Sequence, residues 1–85
     1  MAKLRVTTTD GQVNDYEITP VIEWAFEQHA KMGFHKALLN EQKQSDIFWI
    51  AWEAMRRAGV SPKPFGEGFL ETLKLVEVLE SDPLE

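Results

Sequence analysis

The chain contains no cysteine. Disulfides and thiolate metal sites are therefore excluded, and the composition fits a reducing cytoplasm. No stretch approaches the roughly 20 consecutive apolar residues of a membrane-spanning helix. The opening residues, Met1 to Val6, lack the apolar run of a signal peptide. Glycine is sparse, at five residues, and no glycine-rich loop able to cradle a phosphate is present. Basic residues are outnumbered, with nine Lys and Arg against 14 Asp and Glu, for a net charge of −5. That balance argues against binding along a phosphate backbone, which needs a basic face. It favours basic or apolar partners.

What remains is aromatic and aliphatic. Three Trp, five Phe and one Tyr in 85 residues suffice for one small core, so a single domain spanning residues 1–85 is expected. The organising stretch runs from Asp46 to Gly59. It is the most apolar run and holds Trp49 and Trp52. Ser45 and Asp46 suit a helix start, and Arg56, Arg57 and Gly59 suit its end. A helix over about 45–58 follows. At roughly 100° per residue, Ile47, Phe48, Ala51, Ala54, Met55 and Ala58 share one side, flanked by Ile50 and Trp52. Asp46, Glu53, Arg56 and Arg57 share the other, and Trp49 falls among them.

The remaining segments are read in chain order. Residues 3–18 form a β-hairpin turning at Asp10-Gly11. A lone hairpin is marginal in water and must pack on the helices. Thr19-Pro20 starts a helix over about 20–31, cap followed by proline at its first position. Its inner side holds Val21, Ile22, Ala25, Phe26 and His29. Its outer side holds Glu23, Trp24, Glu27, Gln28 and Lys31. Gly33 breaks it. A short helix over about 35–40 turns Phe34, Leu38 and Leu39 inward. Pro62 and Pro64 make a rigid link. A last helix covers about 67–76, while residues 74–80 stay open between helical and extended. Ser81 to Glu85 read as a frayed tail. The expected class is α+β: an N-terminal β-hairpin packed on a mainly α-helical domain of three to four helices.

No arrangement of residues points to catalysis. His29 reads as a core histidine with one hydrogen bond. His29 and His35 match no metal-ligand spacing, and neither a metal nor a cofactor is expected. Glu23 and Glu27 read as a solvated face rather than an acid–base pair. Arg56, Arg57, Lys63 and Lys74 form a small basic cluster, with helix-dipole complementation the simplest account. Trp24 and Trp49 are more informative, because each lies among charges on its helix. Tryptophan is enriched at binding hot spots. Either a partner covers these two or the fold does. The partner-binding set on this reading is Trp24, Trp49, Glu27, Glu53 and Arg56. The glutamates rim an aromatic groove that suits a basic amphipathic helix or a second copy of the chain.

The order of motifs resembles the small tail assembly chaperones of long-tailed bacteriophages. The matching pieces are the strand with Asp10-Gly11 and the segment Val13 to Thr19. They continue with Trp24-Ala25-Phe26-Glu27 and above all Phe48-Trp49-Ile50-Ala51-Trp52-Glu53-Ala54-Met55-Arg56-Arg57-Ala58-Gly59. Pro64-Phe65 and Val76-Glu77-Val78 follow at short range. The resemblance implies a non-catalytic protein of the host cytoplasm that binds the tape measure protein and helps recruit tail tube subunits. It also implies that the protein leaves the finished particle; many members of that family occur also in a longer frameshifted form, and this chain would correspond to the shorter one. The alternative is a small DNA-binding or regulatory protein, or another interaction module. A hairpin on three helices suits a winged helix-turn-helix, but no helix shows a basic exposed face.

Overall fold

The computed structural model describes residues 3–41 and 43–79, apart from the side chain of Leu39. The expectations for the Leu39 side chain and for the tail from Ser81 lie outside this described part.

The hairpin forms as expected. Strand β1 (Lys3–Thr8) pairs antiparallel with β2 (Val13–Glu17), with Leu4 opposite Tyr16 and Arg5 opposite Asp15. Its turn is closed by backbone bonds from Thr8 to Gln12 and from Gly11 to Thr8, at 3.0 and 2.9 Å. The Asp10 carboxylate accepts from the Thr8 hydroxyl and from the Gln12 amide. Gly11 sits at φ 91°, a left-handed conformation that glycine adopts without steric cost.

The hairpin is not alone in its sheet. A third strand, β3 (Leu73–Leu79), pairs antiparallel with the free side of β1, giving the order β2-β1-β3. The expected helix over 67–76 is corrected accordingly. Only Glu67–Leu70 is helical (α3). The Thr72 amide and hydroxyl then both donate to the Phe69 carbonyl, at 2.9 and 2.6 Å, ending the turn. The Thr9 amide donates to the Thr72 carbonyl at 3.0 Å and starts the sheet register. The spacing of Phe69, Leu70, Leu73 and Val76 suits a helix face. Val76 and Val78 instead oppose Val6 and Leu4, and this long-range pairing prevails over the local pattern.

The sheet has two unlike faces. Leu4 and Val6 are buried on the inner face, with Tyr16, Val76 and Val78 beside them. Lys3 and Arg5 stand exposed on the outer face. All helices with described contacts to the sheet lie on the inner side. Helix α1 (Pro20–Ala30) follows Thr19 and carries Pro20 in its first turn, as expected, although the Thr19 side chain makes no capping bond. It ends at Lys31, which takes a left-handed conformation, φ 59°, before Gly33 is reached. A π-helical turn, Lys36–Glu41, comes next, with Phe34, Ala37 and Leu38 buried.

Helix α2 (Gln44–Arg57) crosses the inner face of the sheet. It begins just ahead of the expected start, capped by the backbone of Lys43 rather than by a serine or aspartate side chain. Its end follows expectation. The Val60 amide reaches the Met55 carbonyl at 3.0 Å and the Gly59 amide the Arg56 carbonyl at 3.2 Å, with Gly59 at φ 84°. This is a Schellman closure, which requires glycine-like freedom at that position.

The phase of α2 differs from the helical wheel. Ile50 and Ala51 are fully buried, Phe48 is only half-buried and Ala58 is exposed. The buried side has rotated toward Trp49 and Glu53. Ile47, Trp49, Ile50, Ala51, Ala54 and Met55 join Ile18, Ile22, Phe26 and Phe69 in one continuous core. Each large side chain buried there contributes about 1.5–3 kcal/mol relative to exposure.

Candidate docking surface on the first helix

The inner side of α1 is set by Ile22 and Phe26, both buried, with Ala25 and Ala30 half-buried beside them. On a helical wheel, Trp24 lies opposite the mean direction of Ile22 and Phe26. It is accordingly 61% exposed. Val21, expected on the inner side, is instead 45% exposed. It lies three residues before Trp24, so the two are surface neighbours on adjacent turns. A valine and a tryptophan thus stand together in solvent on a regular helix.

Val21 also forms one lip of a cleft of about 390 Å³ between the end of β2, the start of α1 and the end of α2. Tyr16, Ile22 and Ala54 supply apolar wall, while Glu17 and Arg57 stand at its margin. Burial raises the Tyr16 hydroxyl above its ordinary pKa, so it remains a neutral donor at physiological pH. The cleft and Trp24 therefore occupy consecutive turns of one helix face. Sequence patterning misses the cleft, because it is assembled from three separated elements. Its one local sign is an apolar residue directly after Pro20, in a first turn that packs on little.

The residues expected to bind a partner divide into two groups. Glu27 is on α1 with Trp24, exposed, but its carboxylate is also structural: one oxygen accepts the Phe34 amide at 2.8 Å. That bond ties the start of the π-helical segment back to α1. Trp49, Glu53 and Arg56 are on α2 and do not join Trp24. Trp49 is 9% exposed. His29 lies flat over it, ring centroids 4.4 Å apart and planes within 8°, and Phe26 and Trp52 close its sides at 6.1 and 6.0 Å. So α1 covers Trp49: of the two alternatives left open for it, cover by the fold is the one observed, and its place in the partner-binding set is corrected. His29 is corrected with it: this side chain is the exposed cover of the tryptophan rather than a core group.

Glu53, expected at a solvated rim, is 2% exposed. Its carboxylate accepts from Arg56 Nε and Nη2 at 3.0 and 2.9 Å and from Arg57 Nε at 2.6 Å. Burial pushes the Glu53 carboxyl upward, but the hydrogen bonds and charges of the two arginines outweigh it and hold it below its ordinary value. A carboxylate neutralised this way can lie in the packed side of a helix. Arg56 also places its guanidinium 5.7 Å from the Trp52 ring centre. Trp52 in turn donates its indole N–H to the Lys63 carbonyl at 2.8 Å and meets Phe65 edge-on at 6.0 Å, pinning the proline-containing link to α2. Trp49 and Glu53 thus belong to the interior, and Arg56, its side chain half exposed, is engaged by Glu53 and Trp52 of its own chain.

Among the described residues, no three His, Cys, Asp or Glu side chains converge as a metal site. No helix among them is long and apolar enough to cross a membrane. Comparison with family models, with curated proteins and with solved structures gave no match.

Proposed function

We propose that the protein is a non-catalytic binding module whose partner docks on the outer face of α1, anchored on Trp24. The observation that carries this reading is the exposure of Trp24, 61%, beside an exposed Val21 and a cleft. Burying the exposed 61% of an indole that can bury about 150–250 Å² recovers about 2–4 kcal/mol at about 25 cal/mol per Å². Glu23 and Glu27 flank it on the same helix, and the whole chain is acidic at −5. A basic amphipathic helix is the complementary occupant: its apolar stripe meets Val21 and Trp24 and its cations meet the glutamates.

Within this reading the resemblance to phage tail assembly chaperones gives the partner. The tape measure protein is long and helical, and it has to be held before tail tube subunits assemble around it. A small acidic module of the host cytoplasm with one exposed aromatic anchor suits that task. The experiment is co-expression with the product of the tape measure gene expected directly downstream. Capture by the wild type and loss with Trp24→Gln supports the proposal. Equal capture by both proteins, or no capture by either, overturns it.

A further inference from the structure

β3 lies at an edge of the sheet, with β1 on one side and no strand on the other among the described residues. Edge strands in soluble proteins are normally short, charged, or interrupted by proline. β3 is seven residues long, Leu-Lys-Leu-Val-Glu-Val-Leu, with no proline. Its outward-facing Leu75 is 51% exposed. The opposite edge is shorter and its charges are of one sign, where β3 has one of each, Lys74 and Glu77. β2 has five residues and carries exposed Asp15 and Glu17.

We infer that β3 is a self-association edge: two copies of the chain pair β3 with β3 antiparallel about a twofold axis, giving a continuous six-stranded sheet. The occupant follows from the register. An axis through Val76 pairs Leu75 with Glu77 and Val76 with Val76, and this ladder runs from Leu75 until the irregularity at Lys74 interrupts it. No like charges then oppose each other. The same register keeps Val76 and Val78, which oppose Val6 and Leu4, on the core side of the enlarged sheet. Lys74 is the extra residue at the irregularity where Thr7 pairs with Leu75 and Thr8 with Leu73. It is exposed. In the pair it comes to within one residue of the position opposite Glu77 of the second copy, adding charge complementarity. Shifting the axis to Glu77 places two carboxylates face to face. Full overlap of β2 with its own copy does the same at Asp15. Joining β2 of one molecule to β3 of the next leaves a β2 edge at one end and a β3 edge at the other, which can join again, so it does not close. Pairing β3 with β3 closes and uses both exposed strands.

Leu75 gives a test in which only the sign of charge changes. In the proposed pair it faces Glu77 of the other copy twice, once in each direction. Leu75→Glu creates two like-charge oppositions and Leu75→Lys two opposite-charge ones. Sedimentation velocity of the full chain, from micromolar to millimolar, measures the dimer constant. The expected result is a concentration-dependent wild-type dimer, weakened about tenfold by Leu75→Glu and strengthened by a similar factor by Leu75→Lys. Circular dichroism confirms that both variants are folded, and Trp24→Gln leaves the dimer unchanged. A wild type that stays monomeric throughout overturns the inference. So does a dimer that responds alike to both Leu75 variants, or one abolished by Trp24→Gln, which assigns the contact to α1 instead.

Discussion

Trp24 and Trp49 have similar positions on their helices and opposite fates in the fold. Each sits among charged neighbours and away from the most apolar stripe of its own helix. Trp49 lies under a lid from α1, with the His29 ring stacked on it and Phe26 at its side. Trp24 is on the helix that provides the lid, directed away from it, and 61% exposed. The difference is in what crosses each helix. α2 is central, touching α1, the π-helical turn and strands β2 and β3. Its buried side is broad, reaching from Ile47 and Ala51 round to Trp49, and even Glu53 is enclosed. α1 is peripheral and packs on α2 along one side, so its other side has no cover. A tryptophan among charges is therefore structural on a central helix and available on a peripheral one.

The largest expected effect tests the buried half of this comparison. Trp49→Ala removes the centre of the His29, Phe26 and Trp52 cluster and is expected to cost about 3–5 kcal/mol, as for other buried aromatic truncations. Urea unfolding measures it, and a cost below about 1 kcal/mol shows that Trp49 is not held as described. Next comes Glu53→Gln. The amide keeps one acceptor but leaves Arg56 and Arg57 without their charge partner, at about 1–3 kcal/mol. Arg56 and Arg57 are partly exposed, with side-chain accessibilities of 50% and 35%, so water limits the loss. The pH dependence has a definite sign. The carboxyl of Glu53 is held below its ordinary value of 4.5 in the folded state, so the unfolded chain binds its proton more readily. The stabilisation is complete above that value and disappears as pH falls through the folded pKa. The gap in melting temperature between wild type and Glu53→Gln is therefore wide at neutral pH and closes below about pH 4.5. A gap that persists in acid rules out the ionised carboxylate as its source.

These two positions also mark the limit of sequence reading here. The hairpin turn at Asp10-Gly11, the helix start at Thr19-Pro20 and the closure at Gly59 were all legible, because each depends on the conformation of one or two residues. The rotation of α2 was not. A wheel sorted by hydropathy places Glu53 and its arginines in water. It has no means of registering that a carboxylate bonded by two arginines can be enclosed while the guanidiniums stay partly in water. β3 was legible only as one of two alternatives, residues 74–80 being left open between helical and extended. Its apolar spacing fits a helix as well as a strand, and the deciding partner is β1, at the other end of the chain. Of the candidate site, Trp24 was legible as an outward side chain, and Val21 and the cleft were not. They depend on where β2 and α2 end relative to α1.

A smaller effect probes the lid itself. His29→Ala removes the stacked ring over Trp49 and is expected to cost about 0.5–1.5 kcal/mol, the range for a single aromatic pair. It also opens Trp49 to water, so quenching by iodide or acrylamide increases. A variant that melts lower with unchanged quenching indicates that another group closes over the indole.

The smallest effect on stability, and the most informative for function, is expected at Trp24. Trp24→Gln replaces a largely exposed indole by a polar side chain of good helix propensity, so the change in unfolding free energy stays within about 0.5 kcal/mol. Its spectroscopic consequence is distinct. The chain has three tryptophans. Trp49 is buried and Trp52 is half-buried with its N–H bonded to Lys63, so Trp24 is the most water-exposed emitter. Removing it shifts the emission maximum of the folded protein to the blue. Trp49→Ala unfolds or loosens the domain and shifts emission to the red. Opposite spectral shifts, with opposite ranks in stability, separate the two tryptophans in a single pair of variants. Titrating wild type and Trp24→Gln with a synthetic basic amphipathic helix then isolates the docking role. The wild type is expected to bind with a blue shift from Trp24, and the variant to lose at least tenfold in affinity, about 1.4 kcal/mol. If Trp24→Gln destabilises the fold by several kcal/mol, the indole is covered within the monomer and the outer face of α1 is no docking surface.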